Sequence, residues 1–90
     1  MVSKKFKITS ESGVHARPAT SLVNICMQYQ SDISLEALKR TVDFKSIMGV
    51  MSLGIYSGTV ITITCDGVDE EDAMRTISAK ITELNLGKEI

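Results

Sequence analysis

The residues able to do chemistry gather in Gly13-Val14-His15-Ala16-Arg17-Pro18-Ala19, which holds the only histidine and the only proline of the chain. Proline is tolerated in the first turn of a helix, where a backbone N–H would have no intrahelical partner anyway. Behind it, Ala19, Leu22, Val23, Cys26 and Met27 fall at i, i+3, i+4, i+7 and i+8, the spacing of one helical face. Gly13 gives the backbone freedom to turn out of the preceding segment. His15 is therefore expected at the N-terminal mouth of a helix, where unpaired N–H groups and the helix dipole favour an anion. The positive end of that dipole disfavours imidazolium and is expected to bias the ring toward its neutral form, whose lone pair can act as a nucleophile. A phosphoryl group captured there would meet the N–H groups of Ala16 and Arg17 and the Arg17 guanidinium, whose fork of donors matches phosphate geometry. An ordinary capping or surface histidine would carry the same local sequence.

A second segment of interest is Lys45-Ser46-Ile47-Met48-Gly49-Val50-Met51-Ser52-Leu53-Gly54. Ser46 suits an N-cap and Gly54 a stop, which gives a helix of about two turns. Ile47, Met48, Val50, Met51 and Leu53 run nearly all the way around so short a helix, so some of them should be exposed. Surface methionines adapt to partners of different shape; the alternative is that they fill gaps in the core. A phosphate on Ser46 would sit at a helix N-terminus, where added negative charge is stabilising, although most N-cap serines are only caps.

The elements that must position these segments follow from periodicity. Lys4 to Thr9 alternates, with Phe6 and Ile8 on one face, as a half-buried strand does. Ser10 to Gly13 reads as a loop, and the first helix is expected from about Ala16 to Tyr29. Ser31-Asp32 break it. Ile33 and Leu35, then Val42 and Phe44, mark two further strands. The connection Glu36-Ala37-Leu38-Lys39-Arg40 lacks the Gly, Asn or Pro of a usual tight hairpin, so its turn type is open. Val60 to Cys65 is the strongest strand, with Ile61, Ile63 and Cys65 toward the core. Asp69 is expected to cap a last helix whose first turn carries Glu70, Glu71 and Asp72 as a solvated acidic start. Its buried stripe is Ala73, Ile77, Ile81 and Leu84, and Gly87 lies just past its end. The order β-α-β-β-α-β-α suits an α+β layer pair, an antiparallel sheet with its helices on one face.

Ninety residues make one small domain, 1–90, with a hydrophobic fraction of 43%. A net charge of −1 and the absence of Trp argue against nucleic acid or an anionic membrane as a direct partner. The N-terminus lacks the apolar region of a secretory signal, and nothing approaches the roughly 20 apolar residues of a membrane span. Cys26 and Cys65 fall on apolar faces and are expected as buried thiols of a cytosolic chain, with a disulfide formally open. Two cysteines and one histidine have no metal-ligand spacing, and no cofactor is implied.

Together these residues resemble the HPr family, the phosphocarriers of the bacterial phosphoenolpyruvate-dependent sugar phosphotransferase system. Gly13 to Ala19 resembles the family signature G-[IL]-H-A-R-P-A, with Val14 a mild variant, and Lys45 to Gly54 resembles the regulatory segment of the Gram-positive type. The resemblance implies an open-faced β-sandwich of four antiparallel strands covered by three helices. It implies that His15 takes a phosphoryl group on Nδ1 from phosphorylated enzyme I, that Arg17 stabilises it, and that an enzyme IIA histidine receives it. It further implies phosphorylation of Ser46 by HPr kinase/phosphorylase, corepressor action with CcpA, and an apolar docking face of Thr20, Ile47, Met48 and Met51. A cytoplasmic monomer that carries phosphoryl groups, rather than an enzyme, is the expected protein. The rival is a purely regulatory, Crh-like module working through Ser46; Crh lacks the histidine, so His15 argues against it. A small-molecule sensor would need convergent polar groups in a pocket, and none are evident.

Overall fold

The computed structural model describes residues 1–90. The elements are β1 (Val2–Ile8), α1 (Ala16–Cys26), β2 (Asp32–Ala37), β3 (Arg40–Asp43), α2 (Ile47–Ser52), β4 (Val60–Asp66), α3 (Glu70–Glu83) and β5 (Gly87–Glu89). The strands form one antiparallel sheet in the order β3-β2-β4-β1-β5. Register puts Phe6 opposite Ile61, Leu35 opposite Ile63 and Ile33 opposite Cys65, so the alternating apolar residues share one face. Against that face α1 buries Ala19, Leu22, Val23 and Cys26, and α3 buries Ala73, Met74, Ile77 and Ile81. These residues belong to one core of 23 buried side chains. The other face is polar: the Ser3 and Thr64 hydroxyls pair at 3.1 Å and Lys5 Nζ donates to Thr62 Oγ1 at 3.2 Å. Cys26 and Cys65 are buried free thiols, and burial pushes them up to about 12 and about 11. No helix is long and apolar enough to cross a membrane.

Four expectations need correction. The sheet has a fifth strand: β5 pairs with the end of β1, and a Cβ on Gly87 would come within 2.4 Å of the Lys7 carbonyl oxygen. Gly87 thus serves a close strand approach, and the reversal after α3 falls on Asn85, at φ +52°. That reversal leaves Leu84 38% exposed and seats Leu86, at 2%, in the core instead. Helix α1 ends at Cys26 rather than Tyr29. The amides of Gln28 and Tyr29 bond three residues back, to Ile25 and Cys26, so the winding tightens just past Met27, which caps the helix at 64% exposure.

The fourth correction concerns Asp69. It stands at the α3 N-cap position without capping the helix through its side chain. Its carboxylate instead accepts from the amides of Gln30 (2.8 Å) and Ser31 (2.9 Å) and from the Ser31 hydroxyl, tying the exit of α1 to the entry of α3. The Ser31 hydroxyl and the Gln30 amide hold Asp69 below the usual carboxylate range. A depressed folded value contributes stability that is present above the unfolded carboxylate value, about 4, and lost as pH falls through the folded one. Asp69→Asn is therefore expected to flatten the acid limb of the Tm–pH curve. A variant whose Tm falls as steeply below pH 4 as the wild type would refute this.

The β2–β3 connection resolves as a two-residue turn. Leu38 and Lys39 both adopt positive φ, +54° and +67°, between paired Ala37 and Arg40. This is the backbone of a type I′ turn, and it costs side chains other than Gly or Asn about 1–2 kcal/mol each. Replacing both, Leu38→Asn with Lys39→Gly, should stabilise the domain by about 1–2 kcal/mol net in thermal unfolding, because the backbone entropy that a glycine loses on folding offsets part of the relieved strain and the exposed Leu38 gives up no core contact. No rise in Tm would show that the hairpin carries no strain.

Candidate functional site

His15 holds the N-cap position of α1, in extended conformation (φ −91°, ψ −175°), and its carbonyl accepts from Ala19 N at 3.0 Å. Its imidazole makes no capping hydrogen bond, which removes the capping reading, and the residue is exposed. Helical bonds begin four residues on, so the amides of Ala16 and Arg17 have no backbone acceptor, and Pro18 has no amide to offer. No acidic residue lies in the first turn. Arg17 is exposed and takes part in none of the ion pairs, so its guanidinium is free for an incoming anion. The Thr20 hydroxyl, one turn further, donates to Ala16 O at 2.8 Å.

What fixes this helix end is the loop before it. Gly13 adopts φ +62°, and a Cβ there would lie 2.3 Å from Ile55 O. Val14, buried, donates its amide to that same oxygen at 3.1 Å. The entry to α1 is thus clamped to the segment leaving α2, and the two helices pack side by side.

Ser46 caps α2 as expected: its hydroxyl accepts from Gly49 N at 3.0 Å and its carbonyl from Val50 N at 3.0 Å. Gly49 keeps that corner small, because a Cβ would sit 3.3 Å from Ser46 Oγ. Val50 and Leu53 face the core, while Ile47, Met48 and Met51 face out, Met48 at 84% exposure. That exposure rules out core filling as the role of these methionines. Two residues unremarked in the sequence complete the region. Arg40 donates to Ser52 O at 2.9 Å and so holds the C-terminal end of α2, where a cation suits the helix dipole. Tyr56 stands exposed on the loop that clamps Gly13 and Val14. Arg40 left no signal because its acceptor lies 12 residues away.

The larger depressions lie elsewhere, including one of about 510 Å³ between Asp32, Thr41, Asp43 and Thr64, and none takes in His15 or Arg17. No group of three His, Cys, Asp or Glu side chains is placed to hold a metal ion. An exposed imidazole, unpaired N–H groups and an unpaired arginine therefore stand together at one helix mouth, an arrangement able to receive an anion brought by another surface.

Comparison with known proteins specifies the class. Residues 2–83 match the family model described as the PTS HPr component phosphorylation site. Among solved structures, the histidine-containing phosphocarrier protein of Mycoplasma is 35% identical, with 96% of this chain and 98% of that one covered and a TM-score of 0.94. The phosphocarrier protein HPr of Bacillus anthracis is 40% identical over 88% of this chain and 94% of that one, with a TM-score of 0.81. Crh of Bacillus subtilis, described as a domain-swapped dimer, is 37% identical over 92% and 95%, with a TM-score of 0.71. The chain belongs to the HPr family of the phosphotransferase system, in which the Mycoplasma and Bacillus anthracis proteins are phosphocarriers.

Proposed function

We propose that His15 carries the phosphoryl group, accepting it on Nδ1 from phosphorylated enzyme I and passing it to a histidine of an enzyme IIA domain. A bond from phosphorus to His15 Nδ1 forms as the donor's P–N bond breaks, and the second transfer reverses the sense. Little covalent machinery is needed; positioning and charge stabilisation do most of the work. The Ala16 and Arg17 amides and the Arg17 guanidinium supply that stabilisation, because nothing else in the protein occupies them. The observation that carries this reading is the uncapped, exposed imidazole beside unpaired donors, in a chain of this family.

Thr20, Ile47, Met48 and Met51 form the docking face, a shallow apolar surface suited to brief encounters with several partners. Ser46 is the regulatory position, phosphorylated by HPr kinase/phosphorylase, and its phosphorylated form acts with CcpA in catabolite repression. The whole, residues 1–90, works as one HPr-type domain, monomeric and cytoplasmic. Similarity to Crh supports a second reading, a regulatory module working through Ser46 alone.

The test is intact mass after incubation with phosphoenolpyruvate and enzyme I, repeated after brief acid and heat. The carrier reading expects one added phosphate that acid removes, the behaviour of a phosphoramidate. No gain would leave the Ser46 module as the surviving account.

A further inference from the structure

Of the four aromatic side chains, Phe6 and Phe44 are buried, and Tyr29 is half-buried with its hydroxyl paired to Thr76 Oγ1 at 2.7 Å. Tyr56 alone is exposed, at 71%, and it is the one that borders the histidine loop. Its Cα lies 3.0 Å from where a Gly13 Cβ would stand, and the residue before it accepts the Val14 amide, one position ahead of His15. Its phenol oxygen reaches back over Gly54, 3.9 Å from the position of a Cβ there, so the ring spans from the α1 entry toward the exit of α2.

The backbone under this ring is well fixed. Tyr56 N donates to Thr59 Oγ1 at 3.2 Å and Tyr56 O accepts from Thr59 N at 3.1 Å. Gly58 N and Ile8 N then bond to Ile8 O and Thr59 O, at 2.6 and 2.8 Å, joining the turn to the end of β1. An exposed aromatic on a braced turn gives large contact area at little cost in ordering, the property of residues that dominate protein interfaces.

We infer that Tyr56 is an aromatic docking anchor for the protein that delivers the phosphoryl group to His15. A protein donor must bring its phosphorus to an exposed imidazole, and Tyr56 borders the loop that leads into it. The donor surface opposite should offer an apolar or guanidinium group, both of which suit an aromatic face. The inference rests on His15 being the acceptor, and it adds a contact outside α1 and α2.

The experiment compares wild type, Tyr56→Ala and Tyr56→Phe in two assays, one with phosphorylated enzyme I and one with phosphoramidate as a small donor that needs no docking. With the protein donor, Tyr56→Ala should raise KM about tenfold with kcat nearly unchanged, the usual scale for an aromatic hot spot. Tyr56→Phe, which keeps the ring, should stay within about twofold of wild type. With phosphoramidate all three should react at equal rates. An unchanged KM in Tyr56→Ala overturns the anchor, as does equal slowing with both donors, which would mean that the loop itself was disturbed. A wild type that takes phosphate from neither donor overturns the carrier reading instead.

Discussion

His15→Ala should take up no phosphate from phosphoenolpyruvate and enzyme I, a loss of at least about 10³-fold, the scale on which removing a nucleophile acts. The fold should not notice. The imidazole makes no cap bond and is exposed, so the change in stability is expected within about 0.5 kcal/mol. A loss of uptake in a protein of unchanged Tm therefore reports chemistry. Arg17→Ala separates stabilisation from capture: the acceptor nitrogen remains, while transfer should slow about 10²-fold for want of a charged donor. Arg17→Lys should recover part of the rate, since a lysine restores charge without the fork. Residual acid-labile phosphate in His15→Ala would move the acceptor elsewhere and dissolve the assignment.

Phosphorylation of Ser46 has the second largest expected effect. The Ser46 hydroxyl is half-buried and engaged with Gly49 N, and Ile47 and Met48 follow it directly on the exposed side of α2. A phosphate there would add about two negative charges at the rim of the docking face. The incoming phosphoryl group is itself anionic, so approach is opposed before any contact forms. Uptake at His15 should slow about 10- to 100-fold at low salt, within the usual range of electrostatic steering. The difference should shrink near 1 M salt, where screening acts within about 3 Å. Ser46→Asp, with one charge, should give a smaller slowing with the same salt trend. Equal rates for the two forms at low salt would sink this account, and slowing that salt leaves untouched would point to a rearranged α2.

Much of this was legible because short-range patterns carry it. The alternation of Ile61, Ile63 and Cys65 and the stripe from Ala19 to Cys26 fixed the strand and helix that make the frame. His15 and Ser46 could be placed at helix starts from Pro18 and from the cap rule. What escaped depends on partners distant in sequence or on sterics invisible in a string of letters. Strand β5 is three residues long with no alternation, and only the approach of Gly87 to Lys7 O explains it. Asp69 looked like a cap because its true partners, Gln30 and Ser31, lie on another element. The Leu38-Lys39 turn breaks the usual residue preference, so no preference could reveal it. Met27 and Leu84 fitted their helical stripes, but each is the C-cap of its helix, where the core no longer covers the side chain.

The exposure of the site has one more consequence. An enzyme that makes a reactive intermediate commonly closes a lid over it, but His15 stands exposed and lines none of the larger depressions. The cargo would ride in full contact with water, so every loaded molecule runs against a hydrolytic clock. Yield then becomes a race between encounter and spontaneous decay, and it rises with the abundance of acceptors. Energy in such a relay is conserved by traffic density, with the protein acting as a short-lived currency in circulation.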